Sequence, residues 1–362
     1  MKQMFRHISV LLSMAVMVAG CNIWSDYDPN GILSELTISV TVSDTPGAPL
    51  TRAGQTRADI NPGDYISPAH NGEKMQSLRI VIVRENGIIE HNRYIDFDGR
   101  AYMEIGNITF KVYGPEKKMV YLFVNENTVK PDVSGIGTQK LVDYDLESLT
   151  PESEFPASLI DELKISVNDN SEEVPSYALP MSESHQIQMP AMDHRVDLYV
   201  TRVATKFTYI FDNQTSEDFD LTNLTINKGS NIEYYIPRIT YSGDPLTGEF
   251  EVSEYNVPNL GNNNYYSFRK AFSDRTIAAR SIVTLDPIYL LEGKYTDAAN
   301  EKNYSMSVTL NETVYEEYFP DVPQLPRNTH VVVVITLRNH EIEWIVDVCP
   351  YGEYWLYPDF GI

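Results

Sequence analysis

The chain has 362 residues, and its 51 aspartates and glutamates outnumber its 28 lysines and arginines, giving a net charge of −23. Nucleic acid and an anionic bilayer surface would both repel such a chain, so neither is expected as a partner. The length suits two domains of ordinary size once a short N-terminal segment is removed.

The N-terminus has the order of a secretory signal. Lys2 and Arg6 precede the apolar run 8–18, which is too short to span a bilayer. Small residues then lead directly into Cys21. This order predicts a lipoprotein signal peptide over 1–20, after whose removal the Cys21 thiol carries a diacylglycerol anchor. The alternative is an ordinary signal peptide followed by a coincidental cysteine.

An acidic, turn-rich tether is predicted over 21–34, and the first β-strand over 35–42. Every second residue of that strand is aliphatic, which is typical of a strand with one buried face. The aliphatic residues are Leu36, Ile38, Val40 and Val42.

Strand-like runs rich in Val, Ile, Tyr, Thr and Phe recur along the rest of the chain, separated by turn clusters. Only 148–164 has a helical pattern. This predicts an all-β chain of two tandem transthyretin-like or immunoglobulin-like β-sandwich domains, with one short helix in the first. The domains are expected at 35–192 and 193–362. The predicted strands after the first are 77–84, 102–112, 119–125, 187–189, 197–211, 221–228, 234–241, 282–291, 304–310, 331–337, 343–348 and 353–357.

The sequence carries no pattern of an enzyme or metal site. No two of its seven histidines are two, three or four residues apart, which disfavours zinc bound by local ligands. A phosphate-binding loop and a Gly-x-Ser-x-Gly nucleophile elbow are also missing. We therefore expect no catalytic residue, no cofactor and no metal. Cys349, the second of two cysteines, is interpreted as a small buried hydrophobe rather than a reactive thiol.

Several segments stand in a particular order along the chain. They are the lipobox ending at Cys21, the strand 36–42, Thr-Arg-Ala at 51–53, the strand 78–83, Met-Val-Tyr-Leu-Phe-Val-Asn-Glu at 119–126, Leu-Pro-Met-Ser at 179–182, the strand 200–207, Pro-Arg-Asn-Thr-His at 326–330 and Glu-Trp at 343–344. Taken in this order, they resemble the fimbrillins, which are the subunits of type V pili of Gram-negative anaerobes. His330 stands where the family has an aromatic residue.

The resemblance implies a mechanism of assembly. An arginine-specific protease would cut between Arg52 and Ala53 and so release the lipid-bearing first strand. Arg57 is a secondary cleavage candidate. The alternative is that Arg57 is simply an exposed loop residue that is not cut. The opened groove would then accept the C-terminal tail 351–362 of the next subunit as a new β-strand. Such a head-to-tail contact does not close on itself and therefore builds a filament.

The sequence thus predicts a structural subunit of a cell-surface pilus that contributes to adhesion. It would be exported as an outer-membrane, lipid-anchored precursor and polymerise after cleavage. Its partners would be other pilus subunits, an arginine-specific surface protease and, before processing, the outer membrane. The alternatives are a pilus anchor or tip subunit, and a surface glycan-binding lipoprotein whose 24 tyrosines offer stacking platforms for sugars.

Overall fold

The computed structural model describes residues 31–43, 69–128, 140–141, 146–167, 173–174, 176–244, 249–255, 259–260, 265–295, 304–318, 324–325, 327–338 and 341–350. Almost all of their regular structure is β-strand, which confirms the predicted all-β class. The first half contains β1 (Ile32–Val42), β2 (Ser77–Arg84), β3 (Ile89–Asp96), β4 (Glu104–Gly114), β5 (Glu116–Val124), β6 (Lys140–Leu141), helix α1 (Leu159–Glu162), β7 (Lys164–Ser166), β8 (Met181–Met189) and β9 (His194–Arg202).

The second half consists of fifteen further strands by the same numbering. They are β10 (Ala204–Asn213), β11 (Phe219–Ser230), β12 (Ile232–Tyr234), β13 (Ile239–Asp244), β14 (Glu249–Tyr255), β15 (Asn259–Leu260), β16 (Tyr265–Ile277), β17 (Ile282–Thr284), β18 (Ile288–Leu291), β19 (Gly293–Tyr295), β20 (Ser305–Leu310), β21 (Thr313–Tyr318), β22 (Gln324–Leu325), β23 (Thr329–Arg338) and β24 (Glu341–Pro350).

Two large sheets organise these strands. The first sheet has seven strands in the order β3-β2-β5-β8-β9-β1-β4. The second has nine, with β21-β20-β11-β18-β10-β23-β24 as its path, β16 paired to β11 and β17 paired to β10. A small sheet of β12, β7 and β6 joins strands from both halves of the chain.

The first sheet curls until its outer strands, β3 and β4, approach each other. The His91 ring hydrogen-bonds the Lys111 carbonyl at 2.7 Å, and the Tyr113 backbone N–H donates to the Glu90 carboxylate at 2.6 Å. The rings of His91 and Phe110 lie 5.1 Å apart. Side-chain contacts therefore hold β4 against β3, although its backbone partner in the sheet is β1.

The chain passes from the first sheet to the second at Val203. The single predicted strand 197–211 is thus two strands, because β9 lies in the first sheet and β10 in the second. The Val203 backbone N–H donates to the Pro180 carbonyl at 3.1 Å at this crossing. The change of sheet therefore comes after β9, whereas the boundary expected at 192–193 comes before it.

The helix predicted over 148–164 is much shorter in the structure. Only Leu159–Glu162 is α-helical, and none of the described helices is long and apolar enough to cross a membrane. Pro151 and Pro156 lack the backbone N–H that a continuing helix needs. Phe155 instead packs its ring flat against Tyr121, with 4.7 Å between the ring centres.

A buried polar network lies where the two sheets meet. The carboxylate of Glu73, which is fully buried, accepts hydrogen bonds from the Lys206 ammonium at 2.8 Å and the Tyr289 hydroxyl at 2.7 Å. Burial alone would raise the pKa of Glu73, but Lys206 and Tyr289 outweigh it and hold the pKa at about 2. Burial and the nearby Lys206 lower the pKa of His330 to about 3, so this ring is neutral.

A second buried cluster nearby holds more carboxyl groups than cations. Arg327 is fully buried; its side chain pairs with Glu292, and its backbone N–H donates to the same carboxylate at 2.8 Å. Glu233 lies 3.7 Å from the Arg327 guanidinium. Burial raises the pKa of Glu183 to about 8, and burial together with Glu292 raises the pKa of Glu233. Glu183 is therefore protonated in the folded protein at neutral pH.

We expect the free energy of unfolding to fall as the pH rises from about 6.5 to 8. Below this window the neutral His330 ring has the opposite effect on the pH dependence, because the unfolded chain takes up a proton there that the folded chain does not. Within it the Glu183 carboxyl is ionised in the unfolded chain and protonated in the folded chain, so the stabilisation that is fully present below pH 4.5 is lost as the pH passes 8. The slope from one such group is about 1.4 kcal/mol per pH unit. Urea unfolding at several pH values measures it.

Glu183→Gln should make this pH dependence less steep, because the amide cannot ionise. Glu217→Gln, at an exposed position, is the matched control and should leave the slope as it is in the natural protein. A natural protein whose stability rises over this window, or a Glu183→Gln variant with an unchanged slope, would contradict the assignment.

Candidate functional site

Strand β1 fills an interior position of the first sheet. It runs antiparallel to β4, with Leu36 opposite Phe110, and parallel to β9, with Leu36 opposite His194. Both backbone edges of β1 are therefore hydrogen-bonded. The space between β4 and β9, which β1 fills, is called the β1 slot below.

The inward face of β1 is apolar and closed to solvent. The alternation predicted from the sequence is confirmed, because the four aliphatic side chains are at most 2% exposed. Thr41, on the opposite face, is exposed. Outside this run, Ile32 and Leu33 at the N-terminal end of β1 are each 56% exposed. The four inward residues are Leu36, Ile38, Val40 and Val42.

Polar contacts at the rim fix the position of β1 along the slot. The Glu35 backbone N–H donates to the Asp193 carboxylate at 2.8 Å, and the Glu35 side chain lies 3.2 Å from the Lys111 ammonium. The Arg195 guanidinium donates to the Ser39 hydroxyl at 3.2 Å. The pairs Glu35–Lys111 and Arg195–Ser39 reach the surface, so each contributes modestly to stability.

The β4 wall of the slot contains a bulge. The pairing shifts between Ile38, opposite Ile108, and Val40, opposite Ile105, so the two residues Gly106 and Asn107 of β4 lie opposite the single residue Ser39 of β1. Asn107 has a φ of 60°, which asparagine tolerates better than most residues. The regular ladder between β1 and β4 is interrupted at this point.

The C-terminal end of β1 is held by side chains from the junction of the two sheets. The Ser43 carbonyl accepts from Arg202 Nη1 at 3.1 Å and from Asn328 Nδ2 at 2.8 Å. The Ser43 backbone N–H donates to the Val200 carbonyl at 2.8 Å. Arg202 and Asn328 are both fully buried. We call these two side chains the Ser43 latch.

The residues predicted to be chemically modified are not among those the structure describes. Cys21, Arg52, Ala53, Arg57 and the tail 351–362 all lie outside the described residues, so lipidation, cleavage and strand donation stay predictions.

Cys349 and His330, which the sequence also singles out, fall within the described residues. Cys349 lies in β24 opposite His330 of β23. The His330 ring is buried and hydrogen-bonds the Thr208 hydroxyl at 2.8 Å. Within the described ranges, no three His, Cys, Asp or Glu side chains are grouped so that they could hold a metal ion.

Arg202 and Asn328 belong to two of the segments that resemble the fimbrillins, but neither side chain was predicted to have a structural role. Arg202 stands inside an apolar strand-like run, and a cation in such a run indicates a buried, hydrogen-bonded group. That signal could have marked Arg202 as structurally important. The acceptor, the carbonyl of Ser43, is distant in sequence and could not be predicted.

Comparisons with known proteins place this fold. No protein-family model matches the sequence, and no curated protein matches it. Among solved structures, a candidate cell adhesion protein from Parabacteroides distasonis is 14% identical over 88% of this chain and 97% of its own, with a TM-score of 0.51. The C-terminally truncated tip fimbrial protein Mfa3 from Porphyromonas gingivalis is 11% identical over 88% and 99%, with a TM-score of 0.52.

A candidate cell adhesion protein from Bacteroides eggerthii is also similar, at 12% identity over 89% of this chain and 97% of its own, with a TM-score of 0.50. Identities this low establish the fold, and in each case the likeness extends over nearly the whole of the solved chain. The protein therefore has the fold of solved fimbrial and candidate cell adhesion proteins, as its resemblance to the fimbrillins predicts.

Proposed function

We propose that this protein is a stalk subunit of a cell-surface pilus, with a role in adhesion. It is exported as a lipoprotein through Cys21 and held at the outer membrane as a precursor. An arginine-specific surface protease then cuts it between Arg52 and Ala53, and it joins other pilus subunits by strand exchange. The fold shared with a tip fimbrial protein supports the pilus-related role.

The observation that carries this proposal is the position of β1. β1, which comes from the N-terminal part of the chain, fills a slot between β4 and β9. When such a strand leaves, it exposes unpaired N–H and C=O groups on both β4 and β9. A slot of this kind binds another extended segment through main-chain hydrogen bonds on both edges.

The inward face of β1 provides the driving force for replacement. Its four buried aliphatic side chains each contribute roughly 1.5–3 kcal/mol, which makes about 6–12 kcal/mol of apolar burial in the slot. A processed subunit with an empty slot would lose that stabilisation. Apolar side chains of a second copy can restore it, which favours polymerisation over a free, open subunit.

Both ends of the assembly contact are present in the chain. β1 offers the removable strand, and the tail 351–362 alternates apolar residues in a pattern that suits a donor strand. A stalk subunit needs both features, since it receives one strand and donates another. An anchor subunit would keep its lipid on Cys21, and a tip subunit would receive a strand without donating one.

Treatment of the purified chain with an arginine-specific protease should give a new N-terminus at Ala53, followed by ladders of oligomers on denaturing gels. Arg52→Gln should prevent both the trimming and the ladders. Arg57→Gln is the matched control and should be trimmed and assemble normally. N-terminal sequencing and gel electrophoresis measure the two readouts.

Two other results would change the conclusion. Trimming at Ala53 without oligomers would contradict assembly by strand exchange. Polymer isolated from the cell surface with lipid still on Cys21 would indicate an anchor subunit rather than a stalk subunit.

Ile38→Ala should lower the free energy of unfolding of the unprocessed chain by about 2–5 kcal/mol, because it leaves a cavity in the core of the first sheet. Thr41→Ala, on the exposed face of the same strand, should cost less than about 1 kcal/mol. Urea unfolding of both variants measures the difference.

After protease treatment, Ile38→Ala should also assemble faster than the natural protein, because its resident strand leaves the slot more readily. Thr41→Ala should assemble at the natural rate. Equal assembly rates for Ile38→Ala and the natural protein would argue against displacement of β1 as the limiting step.

A further inference from the structure

A cavity of 340 Å³ lies on the outer face of the first sheet, opposite to the face that carries the inward side chains of β1. Its floor comes from three neighbouring strands, because Val83 of β2 and Gln186 of β8 both lie opposite Met119 of β5. Side chains two residues apart on a strand point to the same face, so Lys117 and Tyr121 flank Met119 there. None of the described residues that line the cavity belongs to β1, β4 or β9, so the cavity is separate from the β1 slot.

The opposite wall of the cavity is the segment that contains Phe155. The Phe155 backbone N–H donates to the Gly87 carbonyl at 2.8 Å. The Ile89 backbone N–H donates to the Ser153 carbonyl at 2.8 Å, which ties the same segment to the start of β3. The Phe155 ring stacks on Tyr121. This wall is thus built into the fold, and a preformed site loses less free energy to ordering when a ligand binds.

The size and lining of the cavity suit a small molecule with a flat apolar body. Ligand pockets have volumes of about 300–1,000 Å³ and are mostly apolar, with a few polar groups that orient the ligand. At the ~30 Å³ that one water molecule occupies in the liquid, 340 Å³ corresponds to roughly a dozen non-hydrogen atoms. Met119 and Phe155 offer a thioether and an aromatic ring, and both groups pack favourably against an aromatic ligand.

Lys117 provides a positive charge at one end of the cavity. The neighbouring cations are neutralised, because Arg84 pairs with Glu116 at 3.0 Å and Lys118 pairs with Glu90 at 2.6 Å. The half-buried Lys117 ammonium forms no ion pair or hydrogen bond with any residue that the structure describes. A half-buried charge is less well hydrated than an exposed one, so a carboxylate that reaches it gains more than it would on the open surface.

The hydroxyl of Tyr121 is a polar group at the other end. Tyr121 is only 9% exposed, and its hydroxyl has no hydrogen-bond partner among the described residues. Burial raises the pKa of Tyr121, so the hydroxyl is protonated at neutral pH and available as a donor. A largely buried hydroxyl without an acceptor costs free energy, which an oxygen of a ligand would recover.

We propose that this cavity binds a small aromatic carboxylic acid that carries an oxygen at its opposite end. The carboxylate pairs with Lys117, the ring packs between Met119 and Phe155, and the far oxygen accepts from the Tyr121 hydroxyl. Lys117 and Tyr121 are four residues apart, about 13 Å along a strand, so an elongated ligand meets them at its two ends. Glu85 also lines the cavity but is exposed, so water and salt screen its charge.

The test compares three ligands on the full chain by NMR titration of the ligand signals. The first is para-hydroxyphenylpropionate, the second is its amide, which lacks the charge, and the third is phenylpropionate, which lacks the far oxygen. We expect the amide to bind about tenfold more weakly than the first ligand, because it loses the charged pair. Phenylpropionate should bind about fivefold more weakly, because it loses one hydrogen bond.

Two variants assign these differences to side chains. Lys117→Gln should bind the acid and the amide with equal affinity, and Tyr121→Phe should bind the two acids with equal affinity. Lys74→Gln is the matched control, because Lys74 is also half-buried but precedes β2 at the end of the strand away from the cavity. It should keep both preferences.

Three results would overturn this inference. They are no binding of para-hydroxyphenylpropionate to the natural protein, equal binding of the acid and its amide, and a preference for the acid that persists in Lys117→Gln. The ligand comparison on the natural protein decides the question even if a variant fails to fold. Because β1 does not line the cavity, each of these results leaves assembly by strand exchange unaffected.

Discussion

The structure depends on one strand that is hydrogen-bonded along both edges. β1 connects β9 to β4, so the first sheet has seven continuous strands only while β1 is present. β4 also contacts β3 through side chains and directly precedes β5 in the chain, and β9 pairs with β8, so each wall of the slot has a support other than β1. The position of each wall therefore does not depend on β1 alone.

The second constraint is the polar junction between the two sheets. The chain changes sheets at one residue, Val203, and charged side chains on either side of it are buried. Lys206 is balanced by Glu73, whereas Arg202 is directed at backbone carbonyls that include the one at the end of β1. The polar side chains at the junction therefore connect the two sheets, and the same side chains bind the C-terminal end of β1.

Much of the fold could be predicted from residue alternation. The inward and outward faces of β1 follow from a period of two, and β2, β20 and β23 match runs that are aliphatic throughout or alternate clearly. The prediction of one short helix is confirmed, but its bounds of 148–164 were too wide, because Pro151 and Pro156 lack the backbone N–H that a longer helix needs. Strands such as β16 and β21, which are polar over much of their length, gave too weak a periodic signal to be predicted.

The site was predictable only in part. The alternating residues of β1 predicted a strand with one buried face. Its pairing with β4 and β9 could not be predicted, because a local residue pattern does not determine which distant strands lie beside it. The bulge at Gly106 and Asn107 and the hydrogen bonds to the Ser43 carbonyl depend on segments far apart in the chain. A buried arginine can be suspected from sequence, but the atom it binds cannot.

The direction of β1 in its slot has a mechanical consequence. Tension applied along a strand that is paired on both sides loads all of its ladder hydrogen bonds together, in shear, whereas tension across the strand would open them one after another. β1 is paired lengthwise with both β4 and β9. Any strand in that position, pulled along its own axis, would resist as a single unit.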